Sequence, residues 1–287
     1  MSFPTGESIF GKKFLLSNGV QMPAVGVGTF RVRSESAVHN LVDKSLEAGY
    51  RLFDTAAMYG NEVALKNAFA ILLPKYNLDR SDIFLTSKLI SISKGDYRDV
   101  RRTLRSTLSN LGTDYLDLYL INYPTGTNLN RKRSWEALQA LYNEGYVTAI
   151  GVSNYKVEHL LDITTRYSGP MVNQVEWHPL MHNDEVHKFC KKNKIVLQAY
   201  SPFGTPFATG KRLFNNQVIK KIATKYEVPP SQVVLMWSLQ QNVAVVPIST
   251  DPVHLRQNNC FELLLTPREI KTISGIAPDP NDSDAEI

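Results

Sequence analysis

Leu52-Phe53-Asp54-Thr55-Ala56-Ala57-Met58-Tyr59-Gly60-Asn61-Glu62 opens as a short apolar run, ends that run on a carboxylate, and passes through a loop into helix-forming sequence. The helical pattern near Glu62–Leu72 gives way to a second apolar run, Ile83-Phe84-Leu85-Thr86-Ser87-Lys88, which ends on an ammonium. Strand, helix and strand in that order form a parallel unit, and short strands apolar on both faces belong to a sheet covered on both sides. Working outward, the same alternation recurs. Toward the N-terminus lie the strand Ala24–Val27 and the amphipathic helix Ser34–Ala48. Toward the C-terminus, strands at Leu116–Ile121, Ala149–Ser153, Met171–Glu176, Ile195–Ala199 and Ala244–Pro247 alternate with helices. Those helices are Tyr97–Leu111, Ser134–Asn143, Val157–Tyr167, Asp184–Asn193, Gln217–Lys225, an extra Ser231–Gln240, and Pro252–Asn258. Eight strand–helix units predict an α/β protein of the (β/α)8 TIM-barrel class. Ser17-Asn18-Gly19 between two short apolar segments adds an N-terminal β-hairpin.

Length agrees, since 287 residues with 43% hydrophobic composition suffice for one such barrel of ~250 residues. One domain over residues 1–287 is expected, with 279–287 as a mobile acidic tail. The net charge of +5 suits an anionic small ligand. Arg98, Arg101, Arg102 and Arg105 have helical spacing and read as a solvated face, so no nucleic-acid partner is expected. Arg131-Lys132-Arg133 is expected to open a helix near the barrel mouth. His178, His182 and His187 have Pro179 among them, which disfavours one metal-binding helix, and no metal is expected. Two cysteines, no signal-peptide pattern and no apolar run of ~20 residues suggest a cytoplasmic protein without a membrane partner.

In this barrel class the strands' C-terminal ends carry the chemistry. Those ends bear Asp54, Lys88, Asn122, Ser153-Asn154, Tyr200-Ser201 and Pro247-Ile248-Ser249-Thr250, with Tyr59 in the loop after Asp54 and Gln174 inside the sixth strand. A phenol titrates near ~10 and is a poor acid at neutral pH. An adjacent ammonium lowers that value, and a buried ammonium needs a carboxylate. Asp54, Tyr59 and Lys88 therefore read as one proton-donating unit.

The chain resembles the aldo-keto reductases. The resemblance rests on Gly26-Val27-Gly28-Thr29-Phe30, Asp54-Thr55-Ala56 with Tyr59-Gly60-Asn61-Glu62, Ser87-Lys88, Asp117–Ile121, Ala149–Tyr155, Asn173–Glu176 and Gln198–Gly204. It implies reduction of aldehydes or ketones with NADPH, NADH being possible, and a monomeric or weakly associating protein acting on small carbonyl compounds is expected. Carried over, Tyr59 is the general acid, Lys88 lowers its pKa, Asp54 holds Lys88, and Asn122 occupies the fourth catalytic position. Ser153, Asn154 and Gln174 would bind the nicotinamide carboxamide, and Tyr200 would stack on its ring. Ser201 and Phe203, with the loop to Arg212, would cover the pyrophosphate. Gly28, Thr29, Ser249, Thr250, His254, Gln257 and Asn258 complete the implied cofactor set. Phe30, Met58 and Tyr123, with Tyr59 and Asn122, would line the substrate pocket. The reductases usually have His where this chain has Asn122; the β subunits of voltage-gated potassium channels resemble it in having Asn. The resemblance thus also admits a catalytically weak, nucleotide-binding regulatory or redox-sensing subunit. Ile248 and His254 stand where the family commonly has Lys and Arg, which implies a reduced preference for NADPH. Ser249, Thr250 and the helix N-terminus near Asp251 are expected to offer donors to a phosphate.

Overall fold

Strands β3 (Val27–Gly28), β4 (Leu52–Asp54), β5 (Phe84–Leu89), β6 (Leu118–Ile121), β7 (Ile150–Ser153), β8 (Val172–Glu176), β9 (Val196–Tyr200) and β10 (Val243–Val246) pair in sequence order, and every pairing is parallel. The structure is a computed structural model describing residues 11–90, 96–165, 169–204, 209–261 and 263–277. The first and eighth strands meet through a Val25–Val245 bridge and the hydrogen bonds Gly26 N to Val245 O and Gly28 N to Pro247 O, which bring the sheet round into a barrel. Gly28 is required at that seam. A Cβ there would lie 2.8 Å from the Ile248 side chain and 3.2 Å from the Val246 carbonyl.

A hairpin of β1 (Lys13–Leu15) and β2 (Gln21–Pro23) precedes the barrel, turning at Asn18-Gly19 as predicted. Phe14, Leu16 and Met22 join the continuous core. The helices are α1 (Glu35–Glu47), α2 (Glu62–Lys75), α3 (Tyr97–Leu111), α4 (Asn128–Asn143), α5 (Val157–Ile163), α6 (Asp184–Lys192), α7 (Thr209–Asn215), α8 (Gln217–Tyr226), α9 (Pro230–Gln240), α10 (Pro252–Asn259) and α11 (Pro267–Ser274). No described helix is long and apolar enough to cross a membrane.

Several expectations need correction. Helix α4 begins at Asn128 rather than at Arg131, because the Thr127 side chain accepts from Asn130 N and caps it there. Arg131 lies inside that helix and is paired with Asp162 at 2.6 Å. Helix α5 ends at Ile163; the remainder of its expected span runs into residues 166–168, outside the described residues. Helices α7 and α11 were not expected at all. Thr266 starts α11 with a reciprocal cap between Thr266 and Glu269. The acidic tail 279–287 lies outside the described residues.

Candidate active site

Asp54 and Lys88 end neighbouring strands, and their parallel register turns both side chains inward. The Lys88 ammonium lies 2.5 Å from Asp54 Oδ1, with both side chains buried. Its remaining protons go to the Thr55 carbonyl at 3.1 Å and the Tyr59 hydroxyl at 3.3 Å. Tyr59 closes a single helical turn, Ala57–Tyr59, that follows β4 and brings the phenol back over the barrel mouth. The three residues singled out in the sequence are thus in one hydrogen-bonded unit.

The charges balance in a defined order. Burial alone would lower the Lys88 pKa, but the Asp54 carboxylate and the Tyr59 contact overcome it, and the ammonium stays above its ordinary range. Burial pushes the Tyr59 phenol up; Lys88 pulls it down and Asp54 adds to the rise, leaving the net shift upward. Lys88 thus acts on Tyr59 in the expected downward direction, and desolvation of the phenolate outweighs the cation's attraction.

A second network adjoins the first. Gln174 donates from Nε2 to Asp54 Oδ2 at 2.7 Å and to Gln198 Oε1 at 2.8 Å, which leaves Gln174 Oε1 as an acceptor. Asn154 stands in the left-handed region at φ 65°, and its Nδ2 donates to the Asn122 carbonyl at 2.9 Å and to Ser153 Oγ at 3.2 Å. Ser153 Oγ donates to the Gln174 carbonyl, and the Tyr200 hydroxyl donates to Asn154 Oδ1. Asn122 is buried, with Nδ2 2.9 Å from the Met58 sulfur. Phe30 packs on Tyr59 with ring centroids 5.0 Å apart. Phe30, Met58 and Tyr123 are all exposed apolar side chains.

Other residues expected at the site have different local roles. The Thr29 hydroxyl donates to the Asp54 carbonyl at 3.1 Å, which ties the ends of β3 and β4 together. Ser201 holds φ 44° in a tight turn that returns its carbonyl to Gly204 N, while Phe203 packs on Phe214 of α7. Residues 205–208 of the expected pyrophosphate cover lie outside the described residues, and Arg212 lies in α7. Ser249 Oγ accepts from Asp251 N. Asp251 caps α10 by accepting from Val253 N and His254 N, so those two amides are already engaged; the expected phosphate donors at this helix start are corrected accordingly. Thr250 and His254 are exposed. The Gln257 carbonyl accepts from Gln232. Asn258 is buried and its Oδ1 has no protein partner. After the end of β8, His182 and His187 stack edge-on against Trp177, and His178 accepts from Leu180 N.

Gln198, Asn61 and Glu62 are among the buried polar residues that gained no role from the sequence. A glutamine between Leu197 and Ala199 in an apolar strand was the available signal for the first.

The aldo/keto reductase family model matches residues 24–278. The chain belongs to the aldo/keto reductase family. This member is 36% identical over 280 residues to the uncharacterized oxidoreductase YtbE of Bacillus subtilis, covering 95% of this chain and 97% of the relative. It is 35% identical to the glyoxal reductase of the same organism, covering 92% of each. Among solved structures, it superposes on MGS-M4, an aldo-keto reductase from a Medee basin deep-sea metagenome library, with TM-score 0.83 and 37% identity, covering 91% of this chain and 93% of that one. An aldo/keto reductase from Brucella melitensis gives TM-score 0.82 at 32% identity, covering 91% and 98%. Shared membership extends to the fold and to oxidoreductase relatives.

Proposed function

We propose that this protein reduces aldehydes or ketones to alcohols with a reduced nicotinamide dinucleotide, Tyr59 acting as the general acid. The observation that carries this reading is the buried Lys88 ammonium, held at 2.5 Å by Asp54 and donating to the Tyr59 hydroxyl. When bound, the cofactor supplies hydride to the carbonyl carbon. Tyr59 donates its proton to the carbonyl oxygen, completing the alcohol and leaving a phenolate. Lys88 stabilises that phenolate in a site where little water competes, and Asp54 keeps the ammonium charged between turnovers. A phenol is protonated at neutral pH and burial adds to that preference, so the acid form is the resting form. The exposed apolar surface of Phe30, Met58 and Tyr123 suits a small carbonyl compound, and the glyoxal reductase relative supports a small aldehyde.

The residues present fit a dinucleotide. Gln174 Oε1, Ser153 and Asn154 offer acceptors and a hydroxyl for a carboxamide beside Asp54. The unpartnered buried Oδ1 of Asn258 invites a donor such as an amino group. Near α10 the apolar Ile248 and the Asp251 cap weaken the case for a strong 2′-phosphate preference, so NADPH is taken as the main cofactor and NADH as a competitor. The same reading takes the chain to act as a cytoplasmic monomer, without nucleic-acid or membrane partners.

One observation favours a second reading, a weakly catalytic nucleotide-binding regulatory subunit. Asn122 carries no acidic proton, and its amide already faces the Met58 sulfur. The test is Tyr59→Phe. Under the reductase reading it keeps nucleotide binding, followed by protein fluorescence, and loses about a hundredfold or more of turnover, as expected for a lost general acid. Unchanged turnover would remove Tyr59 from the chemistry.

A further inference from the structure

Glu62 is a buried carboxylate on the outer side of the barrel wall, and nothing in the proton-transfer unit uses it. It is 4% exposed. Oε1 accepts from the Ser87 hydroxyl at 2.9 Å and Oε2 from Asn110 Nδ2 at 3.3 Å, and the Thr107 hydroxyl adds a third donor. Hydroxyls and an amide hold it, where a buried carboxylate would ordinarily take a cation. As the first residue of α2 it also lies at the positive end of the helix dipole.

Its place in the chain links the two halves of the proton-transfer unit. Ser87 immediately precedes Lys88, and alternation along β5 sends Ser87 outward where Lys88 points inward. On the other side, only Gly60 and Asn61 separate Glu62 from Tyr59. Gly60 is in the left-handed region at φ 69°. Asn61 is pinned by donating to the carbonyls of Thr29 at 2.9 Å and Val32 at 2.8 Å and accepting from Thr55 Oγ1 at 2.8 Å. The segment carrying Tyr59 is thus tied to β3 and β4 through Asn61, and to β5 and α3 through Glu62.

We infer that Glu62 is a positioning residue: it braces the start of α2 against Ser87 so that the Tyr59 hydroxyl stays within hydrogen-bond reach of Lys88. The inference rests on the reductase reading for its effect on turnover, but not for its effect on Tyr59. Burial raises the Glu62 pKa while its three donors lower it, the net direction being upward. The cost of leaving it unbraced falls on geometry. A misplacement of about 1 Å can cost about a hundredfold in rate.

The experiment compares Glu62→Ala, Glu62→Gln and Ser87→Ala with wild type in the full chain. The first readout is the Tyr59 titration, taken as the ultraviolet tyrosinate signal of each protein minus that of its Tyr59→Phe counterpart. The groups acting on Tyr59 are Lys88, Asp54 and Tyr123. Glu62→Ala loosens the Lys88 contact and moves the titration upward by roughly one unit, as loss of a close cation does. Ser87→Ala, which leaves the core volume almost unchanged, moves it the same way by less, and serves alone should Glu62→Ala fail to fold. Glu62→Gln keeps an acceptor for Ser87, and the Asn110 amide can turn to accept, so it titrates like wild type. A downward shift in Glu62→Ala would mean the carboxylate acts by its charge, and an unmoved titration would mean it braces nothing; either overturns the inference. The second readout is turnover of a small aldehyde with NADPH. Glu62→Ala lowers kcat about tenfold to a hundredfold with KM and nucleotide Kd unchanged. A wild-type protein that reduces no carbonyl would remove the reductase reading and leave the titration to decide on Glu62 by itself.

Discussion

Asp54→Ala tests the electrostatic centre of the barrel. The substitution leaves Lys88 with the Thr55 carbonyl and the Tyr59 hydroxyl but no anion, in a site where the lysine side chain is 2% exposed. Removing one partner of a buried ion pair costs about 3–5 kcal/mol. Two unit charges ~4 Å apart in an effective dielectric of ~20 interact by about 4 kcal/mol, which agrees. Against a total stability of about 5–15 kcal/mol, that is a large fraction. The pH dependence gives the claim a sign. In wild type the folded pKa of Lys88 is raised, so its contribution is fully present below the unfolded lysine value and is lost as pH rises through the folded value. In Asp54→Ala, burial is opposed only by the Tyr59 contact and the Thr55 carbonyl, and the folded pKa falls. The unfolded chain then binds more protons than the folded one, and the variant gains stability as pH rises toward the ordinary lysine range of ~10.4. Urea unfolding of both proteins at about pH 6 and about pH 9, read by linear extrapolation, measures the effect. A difference of less than about 1 kcal/mol at pH 6, or one that does not narrow at pH 9, would refute the picture of a desolvated, mutually dependent pair.

Three further outcomes follow from the same geometry. Asn122→His introduces an imidazole donor at the mouth and frees the Met58 sulfur, so kcat/KM for simple aldehydes rises while nucleotide Kd hardly changes; steady-state kinetics with parallel binding measurements check it. Ile248→Lys adds a cation beside the Asp251-capped start of α10; with a charged hydrogen bond contributing ~1.5–3 kcal/mol, NADPH binding tightens about tenfold or more while NADH binding stays nearly constant. Glu269 at the cap of α11 is opposed by burial but held by Lys225, Thr266 and Tyr226, which bring its pKa down to about 2. Its contribution is therefore present above the unfolded carboxylate value near ~4.3 and disappears as pH falls toward about 2. Discounted for solvent screening, Glu269→Gln costs about 1–2 kcal/mol near neutrality, and the gap to wild type closes in acid denaturation curves below pH ~4.

Which parts of this were legible in the sequence follows from where the information lies. The barrel was legible because each strand is a short apolar run and each helix an apolar stripe, both properties of neighbouring residues. The hairpin was legible because Asn18-Gly19 is a local turn signal. Helix α4 was placed too late because its cap, Thr127, sits in polar sequence where a loop was equally plausible until Arg131 found Asp162. Helix α11 carries a capping signature, Thr266-Pro267-Arg268-Glu269, but little apolar sequence behind it to announce a helix. Asp54, Tyr59 and Lys88 were legible as a unit because strand ends in such a barrel converge. The net upward shift of Tyr59 was not, since desolvation depends on everything the fold packs around the phenol. Glu62 and Gln198 were silent for the same reason. Their partners, Ser87, Asn110 and Gln174, are brought to them only by the closed sheet and its helices.

The proposed role of the Lys88–Tyr59 pair in carbonyl reduction by a nicotinamide cofactor can be tested directly. Its most direct test is the oxidation of NADPH, and separately of NADH, by the wild-type protein across a broad panel of aldehydes and ketones, followed by loss of the reduced-nicotinamide absorbance. The account predicts turnover of small aldehydes with both cofactors, faster with NADPH by a modest margin. Tight binding of both nucleotides with no turnover of any carbonyl compound would contradict it and point instead to the regulatory reading.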